Sequence, residues 1–108
     1  MEKLVTKQFY KWLSKQNVSQ DDLIMAIEEI IAGNYEASLD SYLYKKRIRF
    51  AGQGKSGSGK TIICYKKGKR LIFIHGFAKN EKSNLSSKEL HAFKEFSKVL
   101  LRLTKQEI

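Results

Sequence analysis

The glycine-rich stretch Gly54-Lys55-Ser56-Gly57-Ser58-Gly59-Lys60-Thr61 constrains the fold most, because of the residues on either side of it. It satisfies G-x-x-x-x-G-K-[ST], the phosphate-binding loop of nucleotide-binding proteins. That loop works only between a buried strand and a helix whose N-terminus faces the phosphates. Here the next residues are Ile62-Ile63-Cys64-Tyr65. Two β-branched residues, a cysteine and an aromatic favour a strand over a helix start. Upstream, Lys45 to Phe50 mixes charged and apolar residues as a half-exposed strand does, whereas a phosphate-loop strand is buried on both faces. Downstream, Leu71-Ile72-Phe73-Ile74 runs into His75-Gly76, with no Asp at its end to hold magnesium. Strands on both sides of the glycines predict an antiparallel meander, and no nucleotide cofactor is expected.

The flanking patterns are helical. Phe9, Trp12 and Leu13 share one face of a helix from Thr6 to about residue 15. Ser19 is a fitting N-cap for a second helix, Asp21 and Asp22 suit its positive end, and Leu23, Ile27, Ile30 and Ile31 form its apolar stripe. Gly33-Asn34 stops it. Residues 35–44 read as loop with room for a short strand. Strands are predicted at about 44–51, 60–66 and 70–78, the last two joined by a Lys66-Lys67-Gly68-Lys69 turn in which glycine supplies positive φ. Ser86 and Glu89 form a capping box, and Leu90, Phe93, Ser97, Leu100 and Leu103 give a final helix its inward face. The order predicts one α+β domain over residues 1–108, with helices covering one face of a small sheet and the other face open and basic.

Charge supports that picture. The net charge is +10, but residues 1–44 sum to −3, residues 45–82 to +11 and residues 83–108 to +2. A basic block confined to a strand region is the electrostatic footprint of a nucleic-acid binder. A single cysteine, Cys64, excludes an internal disulfide and fits a reducing, cytoplasmic setting. No apolar run is long enough to span a membrane. No metal-ligand spacing is present, so no metal is expected.

Three segments carry a resemblance: Lys45-Lys46-Arg47-Ile48, Gly52-Gln53-Gly54-Lys55-Ser56-Gly57, and Gly76-Phe77-Ala78-Lys79-Asn80-Glu81-Lys82-Ser83-Asn84-Leu85, followed by Lys88-Glu89-Leu90. In this order the chain resembles the RelE/HigB-like toxins of bacterial type II toxin–antitoxin modules, within the RelE/ParE superfamily. The resemblance implies a RelE/ParE-like fold of two N-terminal helices, a small twisted antiparallel sheet and a C-terminal helix. It implies an enzyme that cleaves messenger RNA on the ribosome and a cognate helix-turn-helix antitoxin as partner. The alternatives it leaves are a ParE-like gyrase inhibitor and a catalytically weakened RNA- or antitoxin-binding relative. One departure stands out. Where the family reads aromatic-Arg-Thr, this chain reads Gly59-Lys60-Thr61, and the tyrosine expected just past the A-K-N-E segment is missing.

RNA cleavage needs a proton taken from a 2′-hydroxyl, charge stabilised at phosphorus, and a proton given to the 5′-oxygen. Clustered cations can supply this, since crowding lets a lysine act as a base while arginine stays charged. The expected catalytic residues are Arg47 and Arg49, two apart on one strand, Lys60 in the family's arginine position, and Lys79. Lys46, Lys55, Asn80 and Lys82 are the expected RNA contacts. His75 and Glu81 are the other candidates for proton transfer, but His75 is expected to share the face of Phe73 and to be structural. Cys64, Phe9 and Trp12 read as core, His91 as surface, and Tyr42 and Tyr44 as packing residues with the option of stacking on bases.

Overall fold

The computed structural model describes residues 1–16, 18–49, 58–78 and 85–103. Its elements in chain order are β1 (Glu2–Val5), α1 (Lys7–Ser14), α2 (Gln20–Ile31), β2 (Ala37–Ser38), β3 (Leu43–Arg49), β4 (Ser58–Lys66), β5 (Arg70–Ala78) and α3 (Ser87–Arg102). The strands form one sheet in the order β1-β5-β4-β3-β2. Four strands pair antiparallel, as the meander predicts, and β1 adds parallel to β5 at the edge. The residue pattern does not announce β1. Four residues with Lys3 between Glu2 and Leu4 carry too weak a period-2 signal to separate a strand from a helix approach. The Lys60-Thr61 pair lies inside β4 and starts no helix, which removes the phosphate-loop setting.

The helices begin where their caps say. Thr6 accepts from the Phe9 amide at 3.1 Å, and Ser19 and Ser86 each complete a capping box, with Asp22 and Glu89. Gly33 takes φ 89° past the end of α2 and Gly68 takes φ 77° in the β4–β5 turn, a conformation that glycine adopts without steric cost. Thr6 also hooks the sheet: its amide donates to the Phe73 carbonyl at 3.0 Å and its hydroxyl to the Ile74 carbonyl at 3.0 Å.

Helices cover both faces of the sheet, which corrects the expectation of one open face. On one side α1 and α2 pack Phe9, Ala26 and Ile30 onto Ile48, Ile63, Leu71 and Phe73, with Trp12 and Leu13 against them. The Phe9 and Phe73 rings stack at 4.9 Å. Trp12 lies so close to Gly76 that a Cβ there would collide with its ring, so only glycine fits. On the other side α3 packs Leu100 and Leu101 onto Leu43, Ile62, Cys64, Ile72 and Ile74.

Two irregularities shape the α3 side. Ile63 pairs with Phe73 but Ile62 pairs with His75, so Ile74 is an extra residue in β5, a β-bulge. Before β3, Asp40, Ser41 and Tyr42 all take positive φ, at 68°, 52° and 64°. Each such non-glycine residue costs on the order of 1–2 kcal/mol. The turn is held by Leu43 N–H to the Asp40 carbonyl at 2.9 Å, Tyr65 N–H to the Tyr42 carbonyl at 2.8 Å, and the buried Ser97 hydroxyl to the Ser41 carbonyl at 2.5 Å.

Arg70 is a clasp. Its Nε and Nη2 donate to Glu2 of β1 at 2.9 and 2.6 Å, and its Nη1 donates to the Leu100 and Leu103 carbonyls at 2.6 and 2.5 Å. Those carbonyls are among the acceptors that the end of a helix leaves without partners, and a cation there also suits the negative end of the helix dipole.

Candidate active site

Period-2 alternation sorts the basic block. Leu43 faces α3, so Lys45 and Arg47, two and four residues on, face that side as well. Ile62 and Cys64 also face α3, and Lys60 therefore does too. Register pairs Arg47 with Lys60 and Lys60 with Phe77, and in the next row Lys45 with Ile62 and Ile62 with His75. Opposite residues on adjacent strands have Cβ atoms about 4.5–5.5 Å apart. Arg47 and Lys60 thus stand side by side on one sheet face, next to the row of Lys45 and His75. Arg47 is exposed and Lys60 partly so. Among the described residues neither side chain makes an ion pair. Lys45 borders a cavity of about 270 Å³ with Leu39, Leu85 and Leu90, where the start of α3 meets the sheet.

The backbone around Arg47 is closed off. β2 begins only at Ala37, opposite Lys45, so the outer edge of β3 is open past that pair, and there the Glu36 carboxylate accepts from the Arg47 amide. Glu36 N–H in turn donates to the Lys45 carbonyl at 2.9 Å. A side chain thus does for the strand edge what a neighbouring strand would do.

Lys46 does not join the cluster, which corrects its grouping with Arg47. One residue along a strand reverses the face. Lys46 is buried at 5% exposure on the α2 side, with its ammonium 3.3 Å from Glu29. Its carbonyl accepts from the buried Thr61 hydroxyl at 2.8 Å. Arg49 ends β3 opposite Ser58. Lys55, Lys79, Asn80 and Lys82, and with them Glu81, lie outside the described residues.

His75 is the second correction. Without a bulge it would share the face of Phe73, as expected from the sequence. The extra residue Ile74 turns it to the α3 side, where its ring meets Phe77 edge-on at 4.7 Å and Phe93 at 5.4 Å. Its Nδ1 lies 3.0 Å from the Gln8 amide nitrogen. Period counting cannot detect a bulge. The available signal is Gly76, whose small size suits the crowded Trp12 side and so leaves the bulky His75 to the other.

Tyr44 and Cys64, among the remaining candidates, are packed into the structure. Tyr44 packs with Tyr35 at 4.6 Å and Tyr65 at 6.2 Å, and burial, reinforced by the neighbouring tyrosines, pushes its phenol above the ordinary value. Tyr42 is exposed, with the Lys66 ammonium 5.3 Å from its ring centre. Cys64 is fully buried. Burial pushes its thiol up, against the opposing effects of the Ser97 hydrogen bond and the Arg70 charge. Among the described residues no three His, Cys, Asp or Glu side chains gather as metal ligands would, and no helix is long and apolar enough to cross a membrane.

The fold and the cation pair define a small α+β protein with an anion-seeking patch at one end of a helix-covered sheet. The whole chain, residues 1–108, matches the family described as RelE toxin of RelE / RelB toxin-antitoxin system, and it belongs to that family. It is therefore a toxin of a type II toxin–antitoxin system, and such a toxin implies a cognate antitoxin. No curated protein matches the chain significantly.

Proposed function

We propose that this toxin is a ribosome-dependent endoribonuclease that cuts messenger RNA by attack of a 2′-hydroxyl on the adjacent phosphorus. The observation that carries this reading is the Arg47–Lys60 pair: two cations on neighbouring strands, on one face, neither neutralised by an ion pair among the described residues. A phosphate held between them has its developing charge met by fixed cations, usually the greatest single contribution to such catalysis. Arg47 offers the planar fork that matches phosphate bidentately, and Lys60 a compact point charge. Lys60 stands where the resembled toxins carry an arginine, and Arg47 beside it supplies the fork that a lysine lacks. Lys45 extends the cationic surface along the strand. Arg49 and Lys79 are proposed as further members of the catalytic cluster, and Lys55, Asn80 and Lys82 as contacts to the RNA backbone. Side-chain cations supply the charge stabilisation, and the proposed reaction calls for no metal or organic cofactor. The partner proposed is an antitoxin with a helix-turn-helix domain, and the setting the cytoplasm.

A short pulse of expression followed by mapping of 5′ ends across cellular transcripts tests this. Codon-phased cuts inside reading frames are expected. Arrested growth with intact messages would sink the proposal, and DNA-damage signalling in those cells would point to gyrase as the target.

A further inference from the structure

Lysine and arginine account for the charge at the site, but arginine does not readily give up a proton near neutral pH, and a lysine that serves as the base is neutral when the reaction starts. The departing 5′-oxygen still needs a proton. His75 is the described residue whose chemistry and place fit that need. The bulge carries it from the packed α1 side to the face of Lys60. Lys60 lies opposite Phe77, two residues from His75, and so is its diagonal neighbour at about 7–8 Å, within reach of long side chains. One phosphate group can therefore touch both.

The ring is also held in place. Phe77 and Phe93 confine it, and Gln8, the second residue of α1, engages Nδ1. A glutamine amide can donate to a bare Nδ1 through its nitrogen or accept from a protonated Nδ1 through its oxygen. Gln8 thus serves both protonation states, and proton exchange falls to Nε2. The charged groups on the elements packed against the ring are Lys60 on β4, with Lys45 and Arg47 one strand further on the same face. Lys7 and Lys11 flank Gln8 on α1. On α3, Glu89 lies one turn before Phe93, and Lys94 reaches Asp40 at 3.9 Å.

We infer that His75 is the general acid of the cleavage reaction, positioned by Gln8, an inference that rests on the endoribonuclease reading. The O2′–P bond forms as the P–O5′ bond breaks. The 2′-hydroxyl proton passes to a basic group of the lysine cluster or to solvent. The imidazolium gives its Nε2 proton to O5′ and is left neutral, to be reprotonated from water. The products are a 2′,3′-cyclic phosphate and a 5′-hydroxyl end.

The test uses the intact toxin on ribosomes programmed with a short message, in single turnover. One message carries the natural 5′-oxygen at the cleaved bond and a second carries sulfur there, because a thiolate leaves without a proton. His75→Gln is expected to slow cleavage of the oxygen message about 100-fold or more. It should also remove the fall in rate that the wild type shows as pH rises and the imidazolium is lost. On the sulfur message variant and wild type should agree within about threefold, as expected when acid catalysis no longer matters. Equal slowing on both messages, or none on either, would overturn the inference. Gln8→Ala keeps the imidazole and should displace the alkaline limb with a loss of about 3–10-fold on oxygen and none on sulfur, since it disturbs only the orienting bond. If His75→Gln fails to fold, the Gln8→Ala pair of measurements decides, and identical behaviour to wild type overturns the proposal. A wild type that leaves the oxygen message uncut sinks the endoribonuclease reading and this inference together. A wild type that cuts while His75→Gln cuts equally well sinks the inference alone.

Discussion

Lys46 and Arg47 are neighbours in sequence and opposites in the structure. On the α1/α2 side Lys46 is drawn into the packing, paired with Glu29 and hydrogen-bonded through its carbonyl to Thr61. On the α3 side Arg47 stays exposed beside Lys60. Both faces of the sheet are covered by helix, so openness does not separate them. What separates them is whether a carboxylate meets the side-chain charge among the described residues. α2 supplies Glu29 to its face, whereas α3 reaches the other face mainly through Phe93, Leu100 and Leu101, and its capping Glu89 is engaged with the Ser86 amide at 3.0 Å. A run of like charges thus identifies a site only after the strand period has been applied to it.

The sharpest way to break this comparison is to truncate one cation from each face. Arg47→Ala and Lys60→Ala are each expected to slow message cleavage about 10²–10³-fold, the usual loss for one charge-stabilising group. Melting temperatures should stay near the wild-type value. Lys46→Met should leave cleavage within a few-fold, and a loss as large as that of Arg47→Ala would show that the faces are not functionally distinct. Next in size is Arg70→Met, another member of the basic block, which should leave the site chemistry alone but destabilise the fold by roughly 2–4 kcal/mol in urea titration, by stranding Glu2 and two helix-end carbonyls. Gly76→Ala forces a methyl into the Trp12 ring and should cost about 1–3 kcal/mol by the same measurement. Smaller and opposite in sign, Ser41→Gly should stabilise by up to about 1 kcal/mol, since glycine relieves the positive φ while keeping the carbonyl that Ser97 binds. The smallest effect is that of Lys46→Met on stability, within about 1 kcal/mol either way, because a buried ion pair gives back in desolvation most of what it gains.

Much of the molecule is legible in its residues. The N-cap at Ser19, the capping box at Ser86, the stop at Gly33 and the turn at Gly68 stand where local chemistry puts them, since each depends on side chains or φ angles within a few positions. Arg47 and Lys60 are likewise legible as strand residues. The features that escape share a cause in long-range structure. β1 is defined by pairing with residues almost seventy positions away. The bulge that turns His75 depends on how β4 and β5 share hydrogen bonds. The left-handed turn at residues 40–42 contains no glycine to announce it and is stabilised by Ser97 on a distant helix. A charge count groups Lys46 with Arg47 because it ignores side-chain direction.

The Arg70 clasp bears on when the fold can close during synthesis as well as on the final stability. It joins residue 2 to residues 100 and 103 through one guanidinium, so the earliest and latest described parts of the fold close on the same side chain. A nascent chain cannot make that closure until α3 has cleared the exit tunnel, and contacts of such sequence separation form slowly. The ribosome that makes this toxin therefore finishes translating α3 before the fold that carries Arg47 and Lys60 is locked.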